Sequence, residues 1–166
     1  MPRIPFDKLP SASRLWIFPA ERSLSPEEEH ELLNRADAFL EKWEAHGQPL
    51  TCARDWRYHR FLLVAVDEDS VPPSGCSIDA MTNLLKKAGA DFGVTFLDYA
   101  SVYYRKNGEV ERVSRSEFKD KVDDGEVGLH TPVFDHSITR VLHLRAGGWE
   151  KPAGASWHRQ AFFPEE

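Results

Sequence analysis

The sequence predicts an α+β fold: a mixed or antiparallel sheet with two main helices packed on one face, a ferredoxin-like plan, extended at the C-terminal side by a hairpin, a short helix and a strand. Three observations carry that reading. Two segments place apolar residues at three- and four-residue steps. Apolar runs with strand character stand before and between them, and an Asn-Gly pair follows the second. A chain of 166 residues fits one domain with one core, so the expectation is a single domain with irregular ends at 1–13 and 145–166.

The elements follow in order. Leu15-Trp16-Ile17-Phe18 reads as a short buried strand stopped by Pro19. Ser25-Pro26-Glu27-Glu28 combines an N-cap, Pro at the first helical position and a capping-box Glu, so a helix begins there. Leu32, Leu33, Ala36, Phe39, Leu40 and Trp43 give its apolar stripe, and Gly47 supplies the stop.

Residues 50–67 read as extended, either as one strand or as two joined near His59-Arg60. Asp67 to Pro73 is a polar loop. The second helix carries Ile78, Met81, Leu84, Leu85 and Ala88 on one stripe, with Gly89 near its end. Lys106-Asn107-Gly108 marks a hairpin, Ser114 to Glu117 opens a short helix that stops at Gly125, and Pro132 to Leu144 reads as a last strand. In the tail, Trp149 and Trp157 are expected to pin irregular chain to the core.

Composition narrows the function classes. Acidic residues outnumber basic ones by 27 to 21, a formal charge of −6. That argues against a mainly electrostatic grip on nucleic acid or an anionic membrane. Two cysteines without a CxxC pair suit a reducing compartment, and no segment has the apolar length of a signal peptide or a membrane span, so the expected location is cytoplasmic. Seven histidines show no H-x-H or H-x-x-x-H spacing and no close pairing with cysteine, so no metal and no cofactor is expected. No G-x-x-x-x-G-K-[ST] phosphate loop occurs.

The candidate site is Ser74-Gly75-Cys76-Ser77-Ile78-Asp79. It follows a buried strand and opens a helix, with Ser77 as the expected N-cap. Backbone N–H groups and the positive end of the helix dipole favour a thiolate at such a place, whereas the Asp79 charge opposes one. Three readings stand side by side. Cys76 is a small hydrophobe in a capped turn, or Ser74, Gly75, Ser77 and Asp79 line a pocket for a small anion or other ligand, or Cys76 is a nucleophile with His59 as its base. Thr82 stands where a cysteine phosphatase would need its Arg six residues on. One basic and aromatic cluster, Arg54, Trp56, Arg57, Tyr58, His59 and Arg60, offers a weaker reading as a single-stranded RNA platform.

Several stretches together resemble a family of small uncharacterised bacterial proteins of similar length. They are Ser13-Arg14-Leu15-Trp16-Ile17, Trp43 to Gly47, Arg57 to Phe61, Val66-Asp67-Glu68, Ser74 to Asp79, Val133-Phe134-Asp135 and Ser156-Trp157-His158. Some members are described as ABC-transporter ATPases, a description that a chain without the phosphate loop and its Lys does not support. The resemblance implies a stand-alone bacterial domain in which the Cys76 loop belongs to the shared pattern.

The functional expectation is a soluble, non-enzymatic binding or interaction domain with a ligand or protein partner at the Cys76 loop and an aromatic tail that either covers that surface or mediates self-association. The alternatives are a cysteine-dependent enzyme or redox sensor, and RNA binding. Neither a membrane nor nucleic acid is the expected partner.

Overall fold

The computed structural model describes residues 3–165, so Met1, Pro2 and Glu166, which belong to the ends expected to be irregular, lie outside the described residues. The fold is α+β. The chain forms two compact units, one running to Asp98 and joined by Thr139–Leu142, the other made of Tyr99–Ile138 and the chain from His143 on. Each has an apolar cluster of its own, where length alone had suggested one.

In the first unit, β1 (Arg14–Pro19) is followed by α1 (Pro26–Glu41). The expected capping box forms: Ser25 Oγ accepts from Glu28 N, and Glu28 Oε1 accepts from Ser25 N. The helix ends at Glu41, before the expected stop. Gly47 instead belongs to a two-residue turn, His46-Gly47, with φ of 50° and 77°, linking β2 (Glu44–Ala45) to β3 (Gln48–Pro49).

Residues 50–67 resolve into two strands, β4 (Cys52–Arg57) and β5 (Phe61–Val66). Tyr58 and His59, in the three-residue connection 58–60, turn the chain with left-handed φ of 57° and 61°, and Arg60 N donates to Arg57 O across the turn. The sheet order is β1-β5-β4, antiparallel throughout, with Trp16 opposite Val64 and Trp56 opposite Leu62. Thus β5 is inserted between the two strands that α1 connects. All six of its residues are buried, which explains why it reads as apolar on both faces.

Each sheet edge is covered in part, which limits pairing with another chain. Ile4 N donates to Cys52 O on the outer side of β4, and Leu15 N donates to Thr139 O while Val141 N donates to Ser13 O on the outer side of β1. The fourth strand of a ferredoxin-like plan would lie on that side of β1. Here it is reduced to one bridge, Arg14 with Arg140.

The second main helix, α2 (Gly75–Phe92), begins earlier than its apolar stripe suggests. Gly89 is an interior position where a Cβ would collide with the Val94 carbonyl, and Gly93, at φ 66°, ends the helix. Leu32, Ala36 and Leu40 of α1 and Met81, Leu85 and Ala88 of α2 join Leu62, Val64 and Val66 in one cluster. Both helices therefore cover the same face of the sheet.

In the second unit, β6 (Val102–Lys106) and β7 (Glu109–Val113) form the expected Asn-Gly hairpin. Next comes α3 (Arg115–Asp123), capped by Ser114, whose Oγ accepts from Glu117 N. The strand expected over Pro132–Leu144 is only β8 (Pro132–Phe134). Asp135 Oδ1 accepts from both the N–H and the hydroxyl of Ser137, and this local turn takes the backbone out of the ladder.

The chain then enters the first unit at Thr139 and leaves it within α4 (Val141–Arg145). The tail is more regular than expected, with β9 (Glu150–Pro152) and α5 (His158–Phe162). The sheet order here is β7-β6-β8-β9. Trp149 is buried, and Trp157, though 37% exposed, carries the Arg115 guanidinium of α3 over its ring. No helix among the described residues is long and apolar enough to cross a membrane.

Candidate functional site

The N-cap of α2 is Ser74 rather than Ser77. Ser74 Oγ accepts from Ser77 N at 3.1 Å, and Ser77 Oγ accepts from Ser74 N at 2.8 Å while donating to Ser74 O at 2.7 Å. The two serines thus close a reciprocal cap, and the Ser77 hydroxyl, itself buried, has its proton committed. Moving the cap three residues upstream places Cys76 inside the first helical turn, and its side chain is exposed.

One hydrogen bond fixes what stands opposite. Trp43, buried just after α1, donates Nε1–H to Ser77 O at 2.8 Å. That bond ties the end of α1 to the start of α2. Between them opens a cleft of about 440 Å³. Phe39 and Trp43 supply its apolar side, and Lys42, Glu44 and His46 line it together with Ser74, Cys76 and Ser77. Its size lies within the usual range for small-ligand sites, roughly 300–1,000 Å³.

Of the residues singled out in the sequence, Ser74, Cys76 and Ser77 line this cleft, whereas Gly75 and Asp79 are exposed near the start of α2 and do not. His59 is not brought to Cys76. Its Nδ1 lies 2.5 Å from Glu29 Oε1 near the start of α1, while Cys76 sits beside the far end of that helix. At about 1.5 Å per residue the intervening turns hold the two roughly 20 Å apart. The imidazole that does share the cleft is His46, on the β2–β3 turn. Sequence reasoning passed over it because Trp43 to Gly47 reads as the tail of α1.

The two thiols have opposite settings. Cys52 is fully buried, its Sγ 3.5 Å from Leu40 O, and burial pushes it up to about 12. We predict that iodoacetamide at pH 8 modifies one thiol per native chain, Cys76, and two in denaturant, as read by intact mass and peptide mapping. Equal native rates at both cysteines would contradict this arrangement.

The basic and aromatic cluster is largely tied up in ion pairs. Arg54 forms a two-pronged pair with Asp37 (2.7 and 2.9 Å), Arg57 Nε donates to Asp55, and Arg60, buried, donates to Ala20 O. These contacts hold the guanidinium groups against protein oxygen atoms. Among the described residues, no group of three or more His, Cys, Asp or Glu is placed to hold a metal ion. No family model, curated protein or solved structure matches the chain.

Proposed function

We propose that this protein is a small-ligand-binding domain, not an enzyme, whose ligand occupies the cleft between the end of α1 and the start of α2. The observation that carries the reading is the cleft itself, where an apolar side made by Phe39 and Trp43 faces an exposed thiol, Lys42 and His46. A small anion is the ligand class we assign to it, held by the helix end and Lys42 against the opposing charge of Glu44 in the same lining. The first backbone N–H groups of an 18-residue helix point toward its N-terminal end, where the helix dipole is positive, and Lys42 adds a charge at the rim.

The test is a titration of ¹⁵N-labelled protein with inorganic phosphate and with acetate, followed through the Gly75 and Cys76 amides. Saturable shifts at those amides that weaken in Lys42→Met support the proposal. An unchanged spectrum for both anions ends it.

A second reading, a reactive thiol, gains from His46 lining the same cleft as Cys76. It predicts that His46→Gln slows alkylation of Cys76 several-fold at pH 7. An unchanged rate removes His46 as its base.

A further inference from the structure

The second unit holds a cavity of about 430 Å³ that the cleft reading does not use. Two segments separated by nineteen residues, Phe134–Ser137 from the end of β8 onward and Trp157-His158 at the start of α5, meet in its lining, together with Tyr99 and Arg115. Two of the chain's few exposed large apolar side chains stand here, Tyr99 at 47% and Trp157 at 37%. Aromatic surface left open to water around a concavity marks a place where a ring gains by docking.

The polar groups converge with different duties. The Arg115 guanidinium lies 5.2 Å from the centre of the Trp157 ring, and its Nε donates to Ala100 O at 3.3 Å. Neither contact neutralises its charge, and no acidic side chain lines the cavity. Asp135, a buried carboxylate between the lining residues Phe134 and His136, is engaged by Lys151 at 3.0 Å and by Ser137. His136 Nδ1 accepts from Trp149 Nε1 at 3.1 Å, which puts the proton of the neutral ring on Nε2, an atom shielded from solvent.

His158 forms the buried end of the lining. It is 1% exposed, stacks on Trp157 with ring centres 3.9 Å apart, and its Nδ1 is 2.7 Å from Ser156 Oγ. These contacts fix the Trp157 ring from behind, so the aromatic wall is set before any ligand arrives, which lowers the ordering cost of binding.

We propose that this cavity binds a small planar ligand with an anionic substituent, the ring lying against Tyr99 and Trp157 and the anion meeting Arg115. The shared chemistry is an aromatic ring bearing a carboxylate or phosphate. An aromatic acid and a nucleoside monophosphate both supply it.

The experiment titrates the intact protein with indole-3-carboxylate and with AMP, and in parallel with indole and adenosine, by calorimetry and by ¹H–¹⁵N spectra. The Trp157 indole cross-peak is assigned by its loss in Trp157→Phe. At least one anionic probe is expected to bind with Kd under about 1 mM and to move that cross-peak. Loss of one charge-assisted contact predicts roughly tenfold or greater weakening in Arg115→Ala and in the uncharged analogue, with an intermediate effect in Arg115→Lys.

Preference for indole-3-carboxylate or for AMP identifies which source of the chemistry fits. Three results would overturn the proposal: no shift with either anion, equal affinity for charged and uncharged rings, or binding unaffected by Arg115→Ala. Arg115 is exposed at the first turn of α3, so its replacement leaves the core intact, and a native-like spectrum of the variant checks this.

Discussion

Phe118→Ala is expected to lower the stability of the second unit by about 3–5 kcal/mol, the usual cost of removing a phenyl ring from a filled core. The ring is fully buried and is the only buried side chain of α3. It meets three others edge-on, Tyr104 at 5.7 Å, His158 at 6.1 Å and Phe162 at 5.0 Å. One side chain therefore joins α3, β6 and α5. Its removal should show as a lower urea midpoint and as faster amide exchange across all three elements. Faster exchange confined to α3 would mean that the other two are held together without it.

Acid is the second sensitivity. Burial holds His158 down to about 4, below its ordinary value near 6.5; Asp135 opposes the shift, while Lys151 and Arg115 add to it. The folded state thus keeps the ring neutral while the unfolded chain protonates it. The sign follows: this contribution is fully present above pH 6.5 and is lost as pH falls toward 4. A shift of that size corresponds to about 3 kcal/mol between the two ends of the window.

Asp135 shifts the same way and adds to the loss at lower pH. Burial works against its ionisation, but hydrogen bonds from Ser137 and Lys151 hold it below its usual value. Urea unfolding at pH 7 and pH 4.5 measures the effect, followed through second-unit amides. His158→Phe should flatten most of the pH slope across that window even if it lowers stability at pH 7, where Ser156 loses its partner. An unflattened slope would assign the acid sensitivity to other groups.

These side chains also show what sequence alone conveys. Helix starts were legible, because Ser25 with Glu28 and Ser114 with Glu117 carry their cap chemistry within four residues. The start of α2 was displaced by three residues, because Ser74 and Ser77 are both good cap residues and only geometry shows that each caps through the other. The β4–β5 turn stayed ambiguous because Tyr58 and His59 adopt left-handed backbone without the Gly or Asn that announces it.

The Cys76 loop could be found in the sequence, but its neighbours could not. Lys42 and His46 come from a stretch that reads as helix, and they reach the cleft only because α1 stops at Glu41 and Trp43 bonds to Ser77 O. The second cavity was less visible still. Its lining is drawn from residues 99 to 158, and no local pattern links Arg115 to Trp157 or either of them to His136.

The reach of Thr139–Leu142 into the first unit also bears on synthesis. A ribosome makes all the other residues of that unit before it makes the segment that occupies the outer side of β1. During elongation, Leu15 and its neighbours face water or a chaperone without the partners that Thr139–Leu142 supply, an edge open to pairing with another chain. A fragment ending at Asp98 would carry that open edge permanently. It should self-associate, and a synthetic peptide spanning residues 136–145 should suppress the association.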